Sequence, residues 1–356
     1  MTMGDAHLPE GRLSAFLAEQ AMDLCGADEA RLIAGHTSAC PTCADALASI
    51  TAEAEWREVD DLLLALGDVG ELPDAPVPAR LRAPARARRR PAPRVPAFAA
   101  PFAAAAGILE SVLAEVGDDA LRGPSPVLTW RVGDLVAHLA AGNALLATAL
   151  GVAVEPPPGS AVGLVGHTER LLAWVTGWPR ERVQALWRHD VEAIAARLNA
   201  EPELASRHVE VDGVRLPVAD QLTARAFETW VHARDIAAAV GMRVPAPPVD
   251  SLGAMADLAA RLLSTLPPRA ATAPAGTVRL TLTGPGGGSW LVQVGGEGAA
   301  DLPTADRPEA ELTLDTVEFC LLVADRVHPA RLDAEIFGDD ALAAELLVIA
   351  PQLSGP

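Results

Sequence analysis

Apolar residues recur at three-to-four spacing through most of this chain, the signature of amphipathic helices. The pattern begins with Leu13, Phe16 and Leu17 and returns at Val59, Leu62, Leu63 and Leu66, where Gly67 and Gly70 end the helix. It is absent from residues 71–97, where seven Pro and seven Arg fall between Pro73 and Pro96. Such a stretch stays extended and builds no core. Beyond it the spacing predicts four helices, near 100–116, 130–152, 162–199 and 215–240, which is helix-bundle arithmetic. Pro124 and Pro126, followed by Thr129, are read as breaking one helix and capping the next. After PAPP (245–248) the period shortens to two. TVRLTLT (277–283), SWLVQV (289–294) and AELTLD (310–315) read as strands, with helices following near 316–326 and 340–349. GPGGGS (284–289) joins strand to strand with no helix N-terminus behind it, so it is a hairpin turn and not a phosphate cradle.

The expected fold is therefore mainly α and multidomain, with a small helical module over 1–70 and a linker over 71–97. A four-helix bundle over 98–245 and a small α/β domain over 250–356 complete it. The apolar stretches 95–109 and 135–154 are too short, or too interrupted by Pro, His138 and Asn143, to read as membrane spans. The N-terminus lacks a basic region followed by an apolar run, and a cytoplasmic setting with no membrane partner is expected.

Charge sharpens this picture. The net charge of −19 argues against direct nucleic-acid binding. Residues 1–70 hold 13 acidic residues against three Arg, and an acidic module suits a basic protein partner. All 28 basic residues are Arg, and the run RARRR (86–90) in the linker reads as a solvated segment.

Two groups of residues carry candidate chemistry. His36, Cys40 and Cys43 have the spacing His-x3-Cys-x2-Cys; His36 and Cys40 share a helical face. Zinc takes four such ligands, and His7 and Cys25 are the candidates for the fourth. The second group is His138, on the stripe of Val132, Leu135, Val136 and Leu139, with Glu228 and His232 one turn apart on a later helix. Three N/O ligands across facing bundle helices leave a position open for water or a thiol. His167, His189 and His208 have no partners at ligand spacing, and Cys320 lies on an apolar helix as a core thiol.

HTSACPTC (36–43), with His7 ahead of Leu13 and Phe16, resembles the zinc-containing anti-sigma factor family, and the resemblance favours His7 as fourth ligand. It implies a sigma factor partner for residues 1–70 and release of that partner on thiol oxidation. WRVGDLVAHLA (130–140) and ETWVHARDIA (228–237) are similar to the mycothiol-dependent maleylpyruvate isomerase family, a DinB-like bundle. The later strands fit that family's small sterol-carrier-like domain, with Arg331 and Gly338-Asp339 as its signature. This second resemblance implies that His138, Glu228 and His232 bind zinc or another divalent metal. It implies mycothiol as thiol cofactor and an electrophile as second reactant. Asp235 would orient a ligand, and Arg326 or Arg331 would meet the thiol's acidic groups.

Two functions follow. One is a zinc-binding, anti-sigma-like regulator whose isomerase-like body senses thiol or oxidative status. The alternative is a mycothiol- and metal-dependent isomerase or S-transferase whose N-terminal module serves only docking or stability.

Overall fold

The computed structural model describes residues 91–157, 163–267, 269, 273–295 and 308–354, all within the compact unit Arg80–Pro356. His7, Cys25, His36, Cys40 and Cys43, with the Arg run of 86–90, lie outside the described residues.

The helical half is built from α1 (Ala100–Glu115), a one-turn α2 (Asp118–Leu121), α3 (Asp134–Ala149), α4 (Leu164–Trp174), α5 (Arg180–Ala200) and α6 (Val218–Ala238). Helix α1 starts with Pro101 in its first turn, where a missing N–H costs nothing. Helix α6 packs along α1 and touches α3, while α3 packs on α4 and α5. Almost every residue of α3 from Leu135 to Ala147 is buried, as expected of a helix apolar on all sides and covered by three neighbours. His138 therefore sits in the middle of the bundle. Arg188 of α5 pairs with Glu110 of α1 at 2.9 Å and ties the far side together.

Three sequence expectations need correction here. The helix expected over 162–199 is two helices, α4 and α5, separated by a turn. Gly177 takes a positive φ of 79° and Pro179 cannot continue a preceding helix, so the chain breaks between them. Helix α3 begins at Asp134, with Gly133 as its cap and no role for Thr129. The Asp134 carboxylate instead accepts the Arg131 N–H at 2.8 Å. A hairpin of β1 (His208–Val211) and β2 (Val214–Pro217) precedes the last bundle helix, and the end of β2 takes the first residues, 215–217, of the stretch assigned to that helix.

The second half opens with α7 (Val249–Leu263), an amphipathic helix absent from the sequence reading. Then come β3 (Gly276–Thr283), β4 (Gly288–Val294), β5 (Ala310–Asp315), α8 (Thr316–Val323), β6 (Glu335–Gly338) and α9 (Asp340–Ile349). The sheet order is β4-β3-β5-β6. The β3–β4 and β5–β6 pairs are antiparallel and β3–β5 is parallel. The hairpin expected at Gly284–Gly288 is present; Gly284 and Gly286 both take positive φ there. Gly286 approaches α7 so closely that a Cβ would lie 2.7 Å from the Gly253 nitrogen. Asp315 and Asp339 cap α8 and α9 through their side chains. Gly338-Asp339 thus ends β6 and starts α9.

The two halves share one continuous buried cluster. Polar links join them as well: Arg261 of α7 holds Asp220 of α6 at 3.0 and 3.1 Å. Trp230 of α6 donates from Nε1 to the Pro245 carbonyl at 3.2 Å in the connection to α7. Among the described residues, one helical stretch, Ala97–Glu115, is long and apolar enough to cross a membrane, and it is half buried against the bundle.

Candidate metal centre

The fold brings His138 of α3 together with Glu228 and His232 of α6. One donor atom from each lies within 4.8 Å of the others. Glu228 and His232 are one turn apart on a regular helix, so they project side by side. The His138 and His232 rings meet edge-on with centroids 5.1 Å apart, and Trp130 covers His138 at 4.9 Å.

The hydrogen bonds fix which ring nitrogens are free. Thr168 Oγ1 donates to the Leu164 carbonyl at 2.8 Å, so it accepts from His138 Nδ1 at 3.0 Å. That leaves the His138 Nε2 lone pair facing Glu228 Oε1 at 2.7 Å. Neither atom has a hydrogen-bond partner of acceptable geometry, although both are buried. On the other side, His232 Nδ1 lies 3.0 Å from Asp235 Oδ2. Asp235 is held ionised: burial raises its pKa, but the hydrogen bonds from His232 and Arg326 outweigh burial and leave it below its usual value. His232 Nδ1–H therefore donates to it, and the His232 Nε2 lone pair is also free.

Both imidazoles resist protonation. Burial, helped by the Arg225 charge, pushes His138 down to about 3. Burial takes His232 down to about 4, against the opposing pull of Asp235. Two neutral imidazole lone pairs and a carboxylate thus converge with no proton to share. Buried acceptors so arranged are costly unless a cation sits among them. The donor set of two nitrogens and one oxygen suits zinc or a similar divalent ion, with a position left open.

Two further groups hold the arrangement. Arg326 grips Asp235 with Nε at 2.9 Å and Nη2 at 2.8 Å, so an arginine–aspartate–histidine chain fixes the His232 ring. Arg225, buried one turn before Glu228, contacts the Glu228 carboxylate. Its guanidinium lies against Gly142 of α3, where a Cβ would come within 2.2 Å of Nη1. A cavity of about 170 Å³ opens beside Glu228 and His232, between α6, α7, α8 and the C-terminal turn.

Of the residues expected from sequence, the structure unites His138, Glu228, His232 and Asp235. Arg326 lines the cavity, but its charge is matched by Asp235 and its Nη1 donates to the Ala324 carbonyl at 2.7 Å. Arg331 is exposed in a short turn and does not line the cavity. His167, read from sequence as unpartnered, is buried with neither ring nitrogen hydrogen-bonded. Cys320 is fully buried and its thiol pKa is pushed up by burial, as a core thiol requires. Thr168 and Arg225 escaped the sequence reading. Arg225 stands three residues before Glu228, a spacing that puts both on one face. Thr168 carries no signal, because its link to His138 spans 30 residues.

Residues 102–237, from α1 through α6, match the family described as the mycothiol maleylpyruvate isomerase N-terminal domain. All three converging side chains fall inside that segment. Two uncharacterized proteins, from two strains of Mycobacterium tuberculosis, are each 28% identical over 271 residues, covering 73% of this chain and 96% of theirs. Among solved structures, mycothiol-dependent maleylpyruvate isomerase is similar with a TM-score of 0.45 and 17% identity, over 65% of this chain and 88% of that one. A histidine-to-alanine mutant of the same isomerase gives a TM-score of 0.46 and 16% identity, over 67% and 91%. The matched family segment begins at residue 102 and bears on the body, not on residues 1–70.

Proposed function

We propose that this chain is a metal- and thiol-dependent isomerase or S-transferase of the maleylpyruvate isomerase type. In this reading His138, Glu228 and His232 hold zinc or another divalent ion, and a small-molecule thiol of the mycothiol class is the cofactor. The division into 1–70, 71–97, 98–245 and 250–356 belongs to the same reading, with the N-terminal module in a docking or stabilising role. The observation that carries it is the meeting of His138 Nε2 and Glu228 Oε1 at 2.7 Å without a hydrogen bond, beside the free nitrogen of His232. Two proton acceptors so close together in a buried site favour the binding of a cation beside them.

A divalent ion there supplies a Lewis acid that lowers the pKa of a thiol brought to it. The protein supplies the rest. Thr168 and Asp235 lock each imidazole in the tautomer whose Nε2 faces inward. Arg225 aims Glu228 at the same point, and burial keeps both rings neutral so that no proton competes for their lone pairs. Trp130 shields His138 from water, while the open side of the site faces the cavity at Glu228 and His232.

The test is metal content per chain together with thiol consumption in the presence of an electrophile. His138→Ala is expected to lower bound metal by one equivalent and to abolish thiol-dependent turnover. Unchanged metal content in that variant would remove the basis of the proposal.

A further inference from the structure

The cavity beside the three converging side chains has a composition that restricts what can enter it. Phe227 and Val231 of α6, Met255 and Leu258 of α7, Val323 of α8 and Leu353 of the C-terminal turn form most of its wall. The polar lining is Glu228, His232, Arg326 and Ser354. Arg326 is the one cation among the lining residues. Its Nε and Nη2 are committed to Asp235, and its charge is balanced there. The Glu228 carboxylate is matched in the same way, by contact with the Arg225 guanidinium. A carboxylate entering this space would lose water against an apolar wall and find no unbalanced cation from the protein. An uncharged ring would lose nothing and gain contact with the wall. The volume of about 170 Å³ is on the scale of an apolar cavity that accepts benzene, about 150 Å³.

We propose that this cavity receives the uncharged, ring-sized apolar part of the second reactant and discriminates against small carboxylates. The electrophile handled by this chain then brings an uncharged, hydrophobic part to this cavity. This rests on the reading of the adjacent site as a thiol-handling metal centre. The site's own polarity supports the division of labour. A hydrophilic thiol cofactor would find few hydrogen-bond partners in this wall, so the cavity suits the other reactant.

The probes are trifluorotoluene and para-fluorobenzoate, titrated by fluorine NMR against the full chain with zinc and again after chelation. The expected result is saturable trifluorotoluene binding in both states, and fluorobenzoate binding weaker by about tenfold or more in the chelated protein. Ala224→Phe, on the half-buried part of the wall, should fill the cavity and weaken trifluorotoluene binding by about tenfold. Leu353→Arg, in the C-terminal turn, should add an unbalanced cation and narrow the gap between the two probes. Fluorobenzoate binding as tight as trifluorotoluene in the chelated wild-type protein would overturn the proposal. So would trifluorotoluene binding unaffected by both substitutions. Zinc is measured separately in the same samples: trifluorotoluene selectivity without zinc retention upholds the apolar cavity while removing the metal reading.

Discussion

The helical half and the sheet half of the described unit bury different chemistry. Around α3, α5 and α6 the interior holds His138, His167, Asp190, Arg225, His232 and Asp235, together with Asn143 and Gln221. Around the sheet and α8 the buried polar side chains are the hydroxyls of Ser251, Thr277 and Thr316, and the one buried thiol is Cys320. Both halves pack a full apolar core, so the difference is not one of available hydrophobic residues. Burying groups that can carry charge is destabilising unless they are paired or bind an ion. A fold accumulates them where they are used, and the sheet half has the composition of a support. The Arg326–Asp235 contact joins the two beside the converging side chains: the loop after α8 reaches into the bundle and fixes the orientation of the His232 ring.

Substitutions in each half should therefore separate stability from metal affinity. The largest expected effect is on stability alone. Phe319 of α8 is 2% exposed, and Phe319→Ala should cost about 3–5 kcal/mol in chemical denaturation through cavity formation. Metal affinity of the folded protein should not change. A parallel loss of metal affinity would mean that the support half shapes the site beyond its one arginine contact.

Asp235→Asn should do the reverse. The His232 ring loses the carboxylate that selects its tautomer, and Arg326 is left without its counter-charge. Loss of such an orienting partner typically costs about 10- to 100-fold in metal affinity. Competition titration with a chelator measures it. Unaltered affinity would show that packing alone orients His232.

The legibility of these features from sequence followed their range. The i and i+4 spacing of Glu228 and His232 is local, and so is the alternation in β3, β4 and β5; all of these are readable without a structure. The joining of His138 to that pair is a tertiary fact, suggested by bundle geometry and by family resemblance but not fixed by any local spacing. Helix α7 has a legible pattern, since Leu252, Met255, Ala256, Ala259 and Leu263 follow helical spacing, although no element was expected there. Strand β6 was not: Glu335–Gly338 is short, largely exposed at the sheet edge, and formed by pairing with β5 more than by its own pattern. The break between α4 and α5 was signalled by Gly177 and Pro179 and was outweighed by the apolar periodicity on either side.

The smallest expected effect tests whether every buried charge in the bundle serves the site. Asp190 of α5 is 2% exposed, and burial raises its pKa to about 6; a weak contact from His189 Nδ1 at 3.4 Å offsets only part of this. The folded state thus holds this proton more tightly than the unfolded chain, whose carboxyl titrates near 3.8. By linkage, the carboxyl is harmless to stability below pH 4. Its cost appears as pH rises from about 4 to 6, and it is constant above that. Asp190→Asn removes the ionisation and should stabilise the protein by about 1–2 kcal/mol at pH 7 and by little at pH 4. Paired thermal melts of wild type and variant across that window measure the difference. A gain that grows from pH 4 to 6 and then levels off identifies Asp190 as a buried charge without a local partner. A loss of stability at pH 7 would instead show that the ionised carboxylate has a favourable role, and that the polar interior of the bundle extends beyond His138, Glu228 and His232 as a connected system.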